Sequence, residues 1–72
     1  MLLHEDLLTL AKQHVEQGRQ RVVRQREVVH NLQVAGLETK VNEDVLRLFE
    51  RLLAKTEDDH ARLSRDKANP LR

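Results

Sequence analysis

The stretch VAGLET, residues 34–39, lies between two long amphipathic patterns and decides the fold. Gly36 can take the left-handed backbone conformation that ends a helix, and Leu37 then folds back onto Leu32. Thr39 is a favourable N-cap for a following helix. The stretch therefore predicts a Schellman-type helix stop, a turn at residues 36–38 and a second helix that starts at once.

Apolar residues before the turn recur at the spacing of one helix face and predict helix 1 from about residue 4 to residue 35. Steps of three and four, as in the seam of a left-handed coiled coil, connect the positions at the centre of this face. This seam consists of Leu8, Ala11, Val15, Gly18, Val22, Gln25, Val29 and Leu32.

Gly18 and Gln25 are unusual members of that seam. A glycine inside a helix costs about 1 kcal/mol relative to alanine, so Gly18 indicates close approach of a neighbouring helix. A polar side chain on a buried stripe fixes register or oligomeric state when its hydrogen bonds are made. We expect Gln25 to have this role.

The pattern after the turn predicts helix 2 from about residue 39 to residue 66, followed by a tail at residues 67–72, because Pro70 disfavours helix at the residue before it. Its apolar face is wider than the seam of a two-stranded coil. The positions on this face that we expect to form contacts are Val45, Phe49, Leu52, Leu53 and Leu63.

A tight turn between two long helices predicts an antiparallel hairpin, in which residues at one level have numbers that sum to about 75. Residues 1–72 then form a single domain near the lower size limit for folding alone. The sequence has no cysteine, so no disulfide can stabilise this domain. The sequence therefore predicts an all-α, coiled-coil-like hairpin that completes its core as a homodimeric four-helix bundle.

The segment GRQRVVRQR, residues 18–26, carries Arg19, Arg21, Arg24 and Arg26 and suggests a nucleic-acid-binding accessory dimer as one alternative. These arginines do not share one helix face, and no aromatic residue is interleaved for base stacking. The chain as a whole is balanced, with 13 Lys plus Arg against 12 Asp plus Glu. Salt bridges beside the apolar stripe are the favoured interpretation.

His14 and His60 suggest another alternative, a metal or pH sensor, because their numbers place them near one level of the predicted hairpin. A dimer would then bring four imidazoles together. Neither histidine belongs to a two-ligand motif, so a structural role is favoured and no metal or other cofactor is expected.

Catalysis and membrane insertion have little support in the sequence. There is no cysteine nucleophile, the only serine, Ser64, lies in a charged helix end, and no glycine-rich phosphate loop is present. No apolar run reaches the length of a membrane span or a signal peptide. We expect a non-enzymatic, cytoplasmic protein whose partner is a second copy of itself or another protein.

The seam from Ala11 to Leu32, with Gly18 and Gln25 at its centre, is followed by the Gly36–Thr39 turn and by Leu46, Phe49 and Leu53. This pattern resembles a family of small uncharacterised proteins from soil alpha-proteobacteria related to rhizobia. The resemblance covers about residues 8 to 63. It implies a bacterial hairpin protein with no activity attached to it.

Overall fold

A computed structural model describes residues 4–68 of the chain as two helices, α1 (His4–Val34) and α2 (Lys40–Ala68). The helices pack against each other as a hairpin, and the described residues contain no strand. The chain is elongated, with extents of 56 × 18 × 16 Å. The predicted all-α fold and the helical hairpin are confirmed.

The turn has the hydrogen bonds of a Schellman motif. The Leu37 amide donates to the Leu32 carbonyl over 2.9 Å, and the Gly36 amide donates to the Gln33 carbonyl over 3.1 Å. Gly36 has a φ of 72°, in the left-handed region. These two bonds satisfy carbonyls that the end of α1 would otherwise leave without partners.

The start of α2 is capped by a carboxylate. Oε1 of Glu38 accepts hydrogen bonds from the amides of Thr39 and Lys40, over 3.0 and 2.9 Å. Thr39 is at the N-cap position, because its carbonyl accepts the bond from the Glu43 amide, but its hydroxyl donates to the Glu43 carboxylate over 3.2 Å. The negative charge of Glu38 thus lies at the positive end of the helix dipole.

Both helix ends differ slightly from the prediction. Helix α1 ends at Val34, one residue early, because the Schellman bonds leave Ala35 in the turn. Helix α2 continues to Ala68, beyond the expected end at residue 66. Proline restricts only the residue directly before it, so Pro70 allows helix up to that point. The rest of the expected tail, residues 69–72, lies outside the described residues.

The core is narrow, and among the described residues its buried apolar side chains come from α1. They all belong to the predicted seam. These buried residues are Ala11, Val15, Val22 and Val29. The other seam positions of α1, and the facing side of α2, are half-buried: Leu8, Gly18, Gln25, Leu32, Asn42, Leu46, Phe49, Leu53, Thr56, His60 and Leu63.

Replacing Gly36 by alanine tests the turn. A Cβ at this position meets nothing within 4 Å, so the penalty comes from the backbone alone. A left-handed conformation costs an ordinary residue about 1 to 2 kcal/mol. We expect Gly36→Ala to lower the free energy of unfolding by about 1 kcal/mol in urea titrations. An unchanged midpoint would show that the turn does not require glycine.

Candidate interaction surface

The two helices approach each other closely at Gly18. A Cβ built on Gly18 would lie 3.2 Å from Cδ1 of Leu53 and 3.8 Å from its Cα. A larger side chain would therefore push the helices apart at this level. Glycine lowers the stability of α1 as an isolated helix, but it lets the two helices approach closely here. This close approach is what the position of Gly18 in the seam predicts.

The contact at Gly18 fixes the register of the hairpin. Seam residues at one level have numbers that sum to about 71, as Gly18 and Leu53 do, rather than 75. His60 is then level with Ala11, and His14 lies about 4.5 Å further along the axis. The expected alignment of the two histidines is therefore wrong. The close packing at Gly18 sets the register, whereas the prediction used the midpoint of the turn.

A polar pair interrupts the apolar seam. Nε2 of Gln25 donates to the backbone carbonyl of Asn42 over 2.9 Å and lies 3.2 Å from its Oδ1. The hydrogen bonds expected for Gln25 are thus made within the hairpin. Asn42 was not predicted from the sequence, although it stands four residues before Leu46 and seven before Phe49 on the facing seam.

One flank of the seam is closed by ion pairs between the helices, and we call it the polar flank. Arg19 contacts Glu57 over 3.3 Å, and Arg26 contacts Glu50 over 3.1 Å. These residues directly follow seam residues, and in an antiparallel pair such positions face each other across the same flank. The favoured role of these two arginines, salt bridges to helix 2, agrees with this geometry.

The ion pair of Arg26 with Glu50 is expected to stabilise the hairpin only slightly, because both side chains are exposed. A double-mutant cycle with Arg26→Ala and Glu50→Ala should give a coupling energy of about 0.2 to 1 kcal/mol. The coupling should fall towards zero in 1 M salt, where the Debye length is about 3 Å. A coupling that resists salt would contradict this assignment.

The opposite flank carries exposed apolar residues, and no other segment within the described residues covers it. Helical periodicity places its members on one side of both helices, beside the seam. We call it the apolar flank, and it consists of Leu7, Leu10, Val28, Val41, Val45, Leu48 and Leu52. All except Val45 are exposed, and Leu52 exposes 49% of its surface.

A groove of about 110 Å³ opens on the apolar flank beside Gly18. Each helix contributes residues at the spacing i, i+3, i+4 and i+7, which is the set that forms a hole in knobs-into-holes packing. The lining residues are His14, Gln17, Gly18 and Arg21 from α1, and Phe49, Leu52, Leu53 and Thr56 from α2. The Thr56 hydroxyl donates to the Leu53 carbonyl over 2.9 Å.

The remaining candidate residues are distributed over different surfaces. Arg21 borders the groove, whereas Arg24 lies with Val23 in a shallow depression on the outside of α1. His14 is exposed at the groove, and His60 is half-buried in the seam. Among residues 4–68, no three histidine, cysteine or acidic side chains are grouped so that they could hold a metal ion.

Ion pairs along the outside of α2 account for the shifted pKa values. The hydrogen bond from Arg47 lowers the pKa of Asp44, helped by Lys40 at 3.5 Å. The hydrogen bond to Asp59 raises the pKa of Arg62, with a further contribution from Asp58. These groups are exposed and paired within one helix, so the shifts reflect surface salt bridges.

Comparisons with known protein families, with curated proteins and with solved structures give no match. Within the described part of the chain, neither helix is long and apolar enough to cross a membrane. The resemblance to the rhizobia-related family stays a prediction.

Proposed function

We propose that this chain is a non-enzymatic interaction module that associates with itself, so that two hairpins form a four-helix bundle. The observation that carries the proposal is the difference between the two flanks of one seam. Ion pairs close the polar flank, while the apolar flank leaves leucines and valines in contact with water. A second hairpin of the same kind covers such a face in a four-helix bundle.

The exposed area supports a partner of this size. The chain exposes 5865 Å², whereas a compact monomer of 8.4 kDa exposes about 4,600 Å². The excess of about 1,250 Å² is larger than the about 800 Å² that each partner buries in a standard interface. Burial of about 800 Å² per chain would bring the exposed area of this elongated hairpin closer to the range of compact domains.

The ion pairs weigh against the nucleic-acid alternative. Arg19 and Arg26 already face carboxylates of α2, and Arg21 lies on the opposite flank. Binding to a phosphate backbone needs several cations on one surface that are free to contact phosphates. The arginine segment is therefore better suited to ion pairs within the hairpin than to contacts with a nucleic acid.

Thermal unfolding at several protein concentrations tests the proposal. If association stabilises the hairpin, the midpoint temperature rises with concentration, since only the folded chains bind each other. We expect a clear rise in Tm between about 5 and 500 μM chain, followed by circular dichroism at 222 nm. A midpoint that stays constant over this range would contradict self-association.

A further inference from the structure

The apolar flank is uneven along its length, and this restricts how a second copy can lie on it. Its apolar residues on α2 occupy the half of the hairpin next to the turn: Val41, Val45, Leu48 and Leu52. Beyond Leu52, the same side of α2 carries charged residues at the corresponding positions: Lys55, Asp59, Arg62 and Asp66. On α2, the half of the flank next to the turn is therefore apolar and the open half is charged, whereas on α1 the apolar residues Leu7 and Leu10 lie at the open end.

Two arrangements of a face-to-face dimer have two-fold symmetry. In the first, the turns are at opposite ends and α2 lies along the partner's α2 in reverse. When the helices overlap over their full length, this places the apolar half of each α2 against the charged half of the other. In the second, the turns are at the same end, and α2 lies along the partner's α1.

We infer that the two hairpins associate with their turns at the same end, and that Leu52 of each copy fills the groove beside Gly18 in the other. This inference rests on the proposed self-association. In this arrangement every residue keeps its level along the axis, so Leu52 of one copy lies level with the segment of the second copy's α1 that contains Gly18. Val45 lies similarly close to the level of Val28 in the second copy.

The groove and the side chain are complementary at this level. Four residues of α1, at positions 14, 17, 18 and 21, line one side of the groove. Such a set accepts one apolar knob from a neighbouring helix. Leu52 stands at the rim of its own groove with 49% of its surface exposed, so it is the leucine best placed to enter the second copy's groove.

Distances between spin labels test the arrangement in the full chain, which contains no cysteine of its own. Single variants Val34→Cys and Glu5→Cys carry a label near the turn and near the open end, on exposed positions. With the turns together, each labelled dimer should give a distance below about 30 Å, since neighbouring helices lie 8 to 10 Å apart. Mixed dimers of the two variants should add a distance of about 40 Å or more, close to the length of α1.

The reverse pattern would overturn the inference and leave self-association intact. In that case each single variant would give about 40 Å or more, and the mixture would give the short distance. A sample without any intermolecular distance would contradict the proposed self-association itself.

The role of Leu52 in the groove has its own measurement, the dissociation constant of the dimer. Leu52→Ala should raise this constant about tenfold or more, because a buried leucine side chain is removed from the interface. Val23→Ala removes a similarly exposed side chain from outside the apolar flank and should leave the constant unchanged. Equal effects of the two variants would show that Leu52 does not enter a groove.

Discussion

Leu52→Asp is expected to convert the self-associated protein into single hairpins. The side chain lies at the centre of the apolar flank, beside the groove at Gly18. The variant loses the apolar contact and must desolvate a carboxylate in the groove, and such changes at the centre of an interface cost about 2 kcal/mol or more. The dissociation constant should therefore rise about 30-fold or more, which sedimentation velocity can measure.

Val23→Asp is the matched control for this change. Val23 is also an exposed aliphatic residue, at 53%, but it lies on the outside of α1, away from the apolar flank. The same charge at this position should leave the mass of the self-associated protein in solution unchanged. If Leu52→Asp and Val23→Asp sediment alike, the apolar flank is not the surface of association.

Val22→Asp is expected to prevent folding of the hairpin. Val22 exposes only 3% of its surface, the smallest fraction in the core, and it packs between the helices. Burial of an unpaired carboxylate costs several kcal/mol, which is comparable to the whole stability of a small domain. We expect the variant to lose most of its helical circular dichroism and its cooperative thermal transition.

The neighbouring position again supplies the control. Val22 and Val23 differ in burial but not in residue type, so Val23→Asp introduces the same charge one position away in the same helix. It should retain both the helical signal and the transition. A folded Val22→Asp variant would mean that the described seam is not the core.

The sequence shows the seam and the turn because both depend on local rules. The three-four spacing of apolar residues identifies the inward face of α1, and the buried residues Val15, Val22 and Val29 all belong to it. Gly36 identifies the turn, because the Schellman stop requires a left-handed residue. Only residues close in sequence are needed for either prediction.

The register could not be predicted in this way, because it depends on contacts between distant residues. The midpoint of the turn suggested His14 level with His60, but the contact of Gly18 with Leu53 shifts the helices by several residues. The hydrogen bond from Gln25 to Asn42 acts across the same interface. No local pattern shows which level of one helix meets which level of the other.

The division of the surface into two flanks also follows from the register. The salt bridges of Arg19 and Arg26 become apparent only once Glu57 and Glu50 face them. The sequence alone predicts two wide apolar faces that one neighbour cannot cover. The structure adds which side stays uncovered and shows a groove on that side, beside Gly18.

Sedimentation equilibrium of the unmodified chain tests the central claim most directly, which is that a second copy covers the apolar flank. The account predicts a mass of twice the 8.4 kDa of one chain at concentrations of about 100 μM, with dissociation on dilution. A folded, helical species that keeps the mass of one chain at every concentration would contradict it.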